Sequence, residues 1–328
     1  MTGRALPLLL TALGLLLIAS LATGPQGMDV ATLMAALRGD DPAATIIIGE
    51  LRLPRSVAAL LTGFALGIAG AALQGLTRNP LAEPGVLGVS ACATLGATMV
   101  LYFGLAADHA GAVAAGAIGG ALAATALLAA FAHRLHGVTS LILVGVGLSS
   151  FAGALMALIL NFAPNPFSLS DLVNWSLGSV ANRSLGDVAV AAPLIAAGSL
   201  LLFTQRRALA LLAIGDVAAI AHGLNQRRAR IIVIGGTGLA VGAAVALAGA
   251  VGFVGIVAPH LVRPWFGHDP GRILLPAGLA GAAMLMLADM LIRLAPTGTE
   301  LRLGVVAALA GAPLFMLIAW RRGAQSHG

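Results

Sequence analysis

A few polar side chains interrupt the long apolar stretches of this sequence and are the first candidates for chemistry. Gln74 follows a run of small residues, and Asp289 lies four positions before Arg293. Polar groups at membrane depth are costly to bury and are often functional. The i,i+4 spacing of Asp289 and Arg293 favours an ion pair on one helix face. For Gln74, contact with a transport pathway and a bond to a neighbouring helix are equally supported, whereas His260 is better explained by packing at a helix kink than by metal ligation.

The sequence lacks the residue patterns of the common catalytic and nucleotide-binding sites. It contains no His-Glu-x-x-His pair, and its single cysteine, Cys92, excludes a disulfide framework. It has no lysine, so it cannot supply the P-loop lysine that holds ATP phosphates. We therefore expect no catalytic residue, no metal site and no bound cofactor, and any ATP and Mg²⁺ must be held by partner subunits.

The composition favours lipid as the solvent of this chain. Of its 328 residues 59% are hydrophobic and only 9% are charged, against about 25% charged residues in soluble domains. The net charge of +6 arises from arginine alone. Because the arginines are scattered between apolar runs and do not form a basic stripe, a nucleic-acid partner is not indicated.

Ten apolar runs separated by short polar breaks predict an all-α, polytopic membrane protein with ten transmembrane helices. Runs of this length can cross a bilayer as helices. The long stretch Ile231–Trp265 is divided into two helices at Gly249 and Gly252, and the second is expected to be short or broken at Pro259. The ten runs are Ala5–Thr23, Ser56–Leu76, Gly85–Leu105, Gly111–Ala132, Val138–Leu160, Val188–Phe203, Ile231–Val251, Phe253–Trp265, Ile273–Ile292 and Val305–Trp320.

The first run predicts an uncleaved helix, because signal-peptide cores are usually only about 7–15 residues long. Arginine is more frequent in the loops on the N-terminal side of the predicted topology, which places both termini in the cytoplasm. Two outer loops, Gly24–Leu51 and Asn161–Asp187, are long enough for short surface helices. The inner loop Gln205–Arg230 holds two short apolar pieces and predicts an amphipathic element that lies on lipid or docks in a protein groove.

Several ordered motifs resemble those of the FecCD-type ABC importer permeases. The first spans Arg52–Ser90 and contains RLPR, GIAGAALQ and RNPLAEPGVLGVS. GFVGIVAPHLVR and LLPAGLAGAAMLMLADMLIR follow, and GTELRLGVVAALAGAPLFMLI ends the series. This sequence departs from the family pattern at Arg302, where proline is usual, and at Ala307, where threonine is usual.

The resemblance implies a type II ABC importer permease fold formed by residues 1–328 as a single transmembrane domain. It also implies a homodimer in the bacterial inner membrane, two cytoplasmic ATPase subunits and a periplasmic substrate-binding protein. The family imports iron siderophores, haem and vitamin B12, so a permease for haem or another iron complex is expected, with cobalamin as the alternative cargo.

The resemblance assigns three groups of residues, and each has a simpler explanation. Arg52, Arg55 and Arg293 match outer arginines that pair with acidic groups of the binding protein, or they anchor helix ends at headgroups. Residues 208–226 match the coupling helices that enter the ATPase cleft, as opposed to a helix lying on lipid. Gln74, Asn79 and Pro80 match positions near the inner vestibule, where a purely structural role is equally supported. The coupling residues are Leu212, Gly215, Asp216, Ala218, Ala219 and Gly223.

Two other classes of function are weighed against the importer subunit. An ion-coupled secondary transporter would need a carboxylate or an ion site at the membrane midplane. An intramembrane enzyme would need a nucleophile with its base, or a metal pair, at depth. The sequence offers neither arrangement clearly, and the ATP-driven permease remains the preferred hypothesis.

Overall fold

The structure, a computed structural model, describes residues 2–24, 27–107, 109, 111–134, 138–295 and 300–325. These residues are helical apart from turns and short connections, and no strand occurs among them. The start of the last family motif, Gly298–Thr299, lies outside the described residues. The predicted all-α class is confirmed for the described part of the chain.

Fifteen α-helices follow one another along the described residues. The first half contains α1 to α8, and a π-helical turn, Ile47–Arg52, joins α3 to α4. These helices are α1 (Thr2–Ala22), α2 (Val30–Arg38), α3 (Pro42–Ile46), α4 (Leu53–Thr77), α5 (Val89–Tyr102), α6 (Ala112–Arg134), α7 (Val138–Asn161) and α8 (Pro166–Ser176). The second half consists of α9 (Leu185–Thr204), α10 (Arg206–Ala213), α11 (Asp216–Ala221), α12 (Gln226–Ala248), α13 (Val254–Phe266), α14 (Pro270–Leu294) and α15 (Leu303–Gln325).

Each of the ten predicted apolar runs overlaps a helix. Within the described residues, seven helical segments are long and apolar enough to cross a membrane. Helix α5, the apolar part of α15 (Leu303–Leu317) and α13 are shorter, so the count of ten crossings stays a prediction. The proposed division of the stretch after Ile231 is confirmed, because α12 ends at Ala248 and α13 begins at Val254 with Pro259 inside it.

The core is formed by α4, α12 and α14, whose small side chains allow close packing. Gly63 of α4 and Gly281 of α14 face each other so closely that a Cβ atom on either would overlap the backbone carbonyl of the other. This use of small residues is typical of helix packing in membranes, where lipid supplies no hydrophobic force between helices. At the periphery, α1 exposes Leu8 and Leu15, which are 68% and 63% accessible.

The long loops contain the predicted short helices. On the outer side of the predicted topology, α2, α3 and α8 lie in the two long connections, and Asp29, Asp41 and Asn165 cap their N-termini through side-chain oxygens. On the other side, α10 and α11 form a helical hairpin between α9 and α12. These elements place the two candidate partner-binding regions at opposite ends of the helical core.

Candidate functional site

The outer arginines Arg52 and Arg293 bind the C-terminal end of α1. Arg52 donates from Nη1 to the carbonyl oxygens of Leu21 and Ala22 at 2.8 and 3.0 Å. Arg293 donates from Nη1 to the carbonyls of Ser20 and Thr23 at 2.8 and 2.9 Å. The last carbonyls of a helix have no partner within the helix, and cations are favourable at that end. Both guanidinium groups therefore fasten α1 to the core.

Asp289 is the anion that holds two of the outer arginines, Arg55 and Arg293, together. Its side chain is 1% exposed, and Arg55 Nε donates to Oδ1 at 2.7 Å. Arg293 Nη2 lies 3.0 Å from Oδ2, so the ion pair predicted from the i,i+4 spacing is confirmed. Arg55 also pairs with the more exposed Glu300. Asp289 thus links α4 to α14, whereas the i,i+4 spacing predicted only the pair within α14.

An outer cavity of about 790 Å³ brings all three predicted docking arginines to one place. Arg183, Glu50 and Glu300 also line it. Arg183 is not among the docking arginines assigned from the sequence, and its Nε is buried without a hydrogen-bond partner among the described residues. Its position after α8 in an irregular connection gave no periodic signal that could have identified it. The described cavity wall therefore carries four guanidinium groups and two carboxylates, those of Glu50 and Glu300.

The α10–α11 hairpin presents an apolar surface to its surroundings. Gly215, between the two helices, has φ of 117°, a conformation that side-chain-bearing residues rarely adopt. Leu212 and Ala219 are buried, at 2% and 0% exposure. The exposed positions are apolar instead, namely Ile214 at 62%, Val217 at 84% and Ile220 at 62%.

None of these three exposed residues is among the coupling residues assigned from the sequence, which include the small residues Ala218, Ala219 and Gly223. Ala219 faces the core, so its side chain is closed to a partner, while Ala218 is half-buried and Gly223 is exposed with φ of 77°. The available signal was the spacing of Val217 and Ile220, which lie three residues apart on one face of α11, whereas Ile214 lies at the end of α10 before Gly215. The structure places this face outward.

Asp216 ties the hairpin to two long helices. Its Oδ2 lies 2.9 Å from Nη2 of Arg78, the residue that ends α4. Gln226 at the start of α12 donates from Nε2 to the backbone carbonyl of Asp216 at 2.9 Å. A displacement of the hairpin would therefore be transmitted to the C-terminal end of α4 and to the start of α12.

Gln74 joins α4 to the proline-containing helix α13. Its Nε2 donates to the carbonyl of Gly255 at 3.1 Å, and Arg263 donates from Nη2 to its Oε1 at 2.7 Å. The carbonyl of Gly255 is the group that Pro259, lacking an N–H, leaves free in the helical ladder. Of the two alternatives for Gln74, the structure contains the bond to a neighbouring helix.

The polar loop after α4 holds the other two pathway candidates. Asn79 accepts a hydrogen bond from the Leu81 backbone at 2.9 Å, and Pro80 is exposed. Further along the loop, Glu83 and Gly255 line a cavity of about 180 Å³. The Phe253 backbone N–H donates to Glu83, but burial outweighs this bond and raises the pKa of the carboxyl to about 7. Glu83 could not be identified from the sequence pattern, because its burial depends on the return of the loop to the helical core.

No group of three histidine, cysteine or acidic side chains able to hold a metal ion occurs in the described ranges. His260 donates from Nδ1 to the Ile256 carbonyl at 2.7 Å, and its Nε2 accepts from Arg263 Nη1 at 3.1 Å. Both ring nitrogens are therefore engaged in packing at the helix kink.

The FecCD transport family matches residues 11–321 of this sequence. The chain belongs to the FecCD transport family. It is 40% identical over 299 residues to the uncharacterized ABC transporter permease protein YvrB of Bacillus subtilis, covering 89% of this chain and 84% of that protein. It is 38% identical over 312 residues to the vitamin B12 import system permease protein BtuC of Escherichia coli O6:H1, covering 94% and 92% of the two chains.

A solved structure described as an inward-facing conformation of a metal-chelate type ABC transporter resembles this FecCD permease closely. The TM-score is 0.86 at 29% sequence identity, with 96% of this chain and 99% of the other covered. Together with its relatives, this similarity establishes a multi-pass membrane subunit of an ABC importer whose role is transport and not catalysis. Such a permease works with ATPase and binding-protein partners.

The structure groups the predicted site residues of this FecCD permease into three separate regions. Arg52, Arg55 and Arg293 meet at the outer cavity. The coupling residues lie in the α10–α11 hairpin, and Gln74 lies in the core near α13. Arg78 connects the second region to the end of α4. Asn79 and Pro80 follow Arg78 in the loop after α4.

Proposed function

We propose that two copies of this permease form a path for a metal chelate, driven by two ATPase subunits that hold the α10–α11 hairpins. The observation that carries this proposal is the exposed apolar surface of Ile214, Val217 and Ile220 on an element tied to α4 and α12. Three large apolar side chains this accessible are costly in water and suit burial in a protein groove. ATP binding and hydrolysis in the partners would move the hairpins and thereby tilt the long helices.

The outer cavity is the proposed seat of the periplasmic binding protein. Acidic side chains of that partner would enter the guanidinium-rich wall, fixing its orientation and steering its approach. Arg55 is the most suitable of the predicted contacts with the partner, since its side chain keeps 16% exposure beside Glu300. Arg52 and Arg293 already bind carbonyls of α1, so they would serve mainly by shaping the cavity.

The topology proposed from arginine distribution agrees with this arrangement of partners. The hairpin, which begins with Arg206 and Arg207, would lie in the cytoplasm together with Arg227, Arg228 and both termini. The outer cavity would then face the periplasm. The proposed homodimer supplies the second half of an axial path.

The proposed cargo is haem or another iron complex, and cobalamin is the alternative. Haem or another iron complex suits apolar helices with few charges at depth, and the metal-chelate description of the similar structure supports that class. Cobalamin is favoured by the BtuC relatives, which are 38–39% identical to this chain. Both are large metal chelates, so the transport mechanism proposed here is the same for each.

Uptake into proteoliposomes tests the proposal. Vesicles with the permease, its ATPase and its binding protein would be given haem, a ferrichrome-like chelate and cobalamin, with and without ATP inside. We expect ATP-dependent accumulation of one chelate well above the other two. Accumulation by the permease alone, or uptake that follows an ion gradient without ATP, would overturn the assignment and favour a secondary transporter.

A further inference from the structure

A groove is lined in part by the first residues of α10, at the base of the hairpin, and does not include the exposed residues Ile214, Val217 and Ile220. It has a volume of about 540 Å³ and is formed where the ends of α9 and α13 meet the starts of α1, α10 and α14. Its apolar wall includes Leu6, Phe203, Phe266 and Leu275. Its polar rim includes Arg206, Arg207 and Arg272, with Asp269 as the acidic lining residue.

The rim owes its charge to a close contact between two helix starts. Gly271 of α14 lies against the backbone carbonyl of Arg206, leaving no room for a Cβ atom. This approach brings the side chains at the start of α10 beside Arg272. A larger residue at position 271 would separate the two helices and the arginines with them.

The arginines of the rim are only partly neutralised. Asp269 lies 3.4 Å from Arg272, and its Oδ1 also accepts the Gly271 backbone N–H. Arg206 and Arg207 are exposed and have no ion pair among the described residues. One carboxylate therefore faces three guanidinium groups, and the rim keeps a positive charge suited to an anion.

The groove lies beside a peripheral apolar helix and an exposed tryptophan. Helix α1 contributes Leu6 to it and exposes Leu8 and Leu15 further along the same helix. Trp265, next to Phe266 at the end of α13, is 61% exposed, and exposed tryptophan is typical of the membrane–water interface. An occupant of this groove would therefore come from the bilayer.

We propose that the groove binds an anionic phospholipid, whose phosphate lies between Arg206, Arg207 and Arg272 and whose acyl chains lie along Leu6, Phe203 and Phe266. Guanidinium groups match phosphate oxygens well, and basic pockets between helices at this level of a membrane recognise anionic headgroups. The bound lipid would hold α1, α10 and α14 together at the base of the coupling hairpin. This proposal is independent of the cargo.

Native mass spectrometry of the full-length permease in detergent tests the site. Phosphatidylglycerol would be titrated against phosphatidylethanolamine with the same acyl chains, and soluble glycerol phosphate would be added as a competitor. We expect phosphatidylglycerol to be retained preferentially, and the double variant Arg206→Gln with Arg272→Gln to lower its affinity about tenfold or more. The Arg206→Lys with Arg272→Lys variant should keep most of the binding.

The matched control is Arg227→Gln with Arg228→Gln, two exposed arginines at the start of α12 that do not line the groove. This variant changes the net charge equally and should retain the lipid. Equal retention of both lipids, or equal loss in the control variant, would overturn the proposal. Full competition by glycerol phosphate would indicate a simple phosphate site and would also overturn it. Size-exclusion profiles and far-ultraviolet circular dichroism would verify that each variant is folded.

Discussion

Gln74 on α4 donates a hydrogen bond to the carbonyl of Gly255 on α13, the carbonyl that Pro259 leaves without its helical partner. The same amide accepts from Arg263, so one buried side chain satisfies two groups on the neighbouring helix. In a membrane, an unpaired backbone group in a broken helix has to be satisfied by the surrounding protein. This pair explains how a proline kink is tolerated in the core of the permease.

Replacing Gln74 with methionine should lower the stability of the purified permease. The shape is roughly kept, but the Gly255 carbonyl and Arg263 lose partners, at a cost of about 1–3 kcal/mol for each buried polar group. Pro259→Ala restores an N–H for Gly255, so Gln74→Met should cost less in that background. Thermal unfolding in detergent of the two single variants and the double variant measures this coupling. Strict additivity would contradict the assigned role of Gln74.

Asp289→Asn should be among the most destabilising changes in the outer half of the protein. It leaves Arg55 and Arg293 without their shared anion, and the loss of one partner of a buried ion pair costs about 3–5 kcal/mol. Glu300→Gln is the control, because Glu300 is 37% exposed and surface pairs contribute about 0–1 kcal/mol. A comparison of Tm values checks this order. Similar Tm values for the two variants would argue against a central role for Asp289.

Val217→Asp should abolish association with the ATPase while leaving the permease folded. Val217 is 84% exposed, so the carboxylate meets water in the free subunit but would be buried without a partner in the complex. Co-purification and ATP-dependent uptake measure the loss, which should exceed tenfold. Val30→Asp on α2, at a residue 76% exposed at the other end of the molecule, should have no such effect. An unchanged complex with Val217→Asp would remove the hairpin from the ATPase interface.

Exchanging the charges of Arg78 and Asp216 tests whether their ion pair transmits motion. Both side chains are about 40% exposed, so each single reversal should change stability by less than about 1 kcal/mol. We expect Arg78→Asp and Asp216→Arg singly to lower ATP-driven uptake several-fold, and the double variant to restore part of it. Equal impairment in the single and double variants would assign the loss to something other than the pair.

Glu83 should make the stability of the permease depend on pH. Its pKa in the folded protein is about 7, against an ordinary value of 4.5, so the folded state binds more protons between these values. The contribution of Glu83 to the free energy of unfolding is then most favourable below about pH 4.5 and falls as the pH rises to about 7. Glu83→Gln removes this penalty, which above pH 7 is on the order of 3 kcal/mol.

The gain in Tm from Glu83→Gln should therefore be larger at pH 8 than at pH 5. Glu50→Gln is the matched control, since it makes the same change at an exposed residue. A gain that does not vary with pH would show that Glu83 is ionised normally in the folded protein.

The amino-acid sequence by itself determined the class of this protein and the order of its helices. Long apolar runs, few charges and the motifs around Arg52–Ser90 and Gly252–Arg263 were enough, because hydrophobic length and local motifs are properties of the chain alone. The short helices in the long loops and the break between α12 and α13 were also predictable from glycine, proline and polar residues. The ion pair between Asp289 and Arg293 was predictable because both lie on one helix.

Tertiary structure alone decided which partners the polar groups take across helices. Arg55 reaches Asp289 across 234 positions of sequence, and Gln74 reaches Gly255 across 181. Neither distance leaves a periodic signal, because the contacts depend on how α4 packs against α13 and α14. The burial of Ala219 and the exposure of Val217 were decided in the same way, since both are apolar residues of one short helix and the packing of the hairpin sets which of them faces outward. Local physics thus sets the helices, and close packing through small residues sets which polar groups meet.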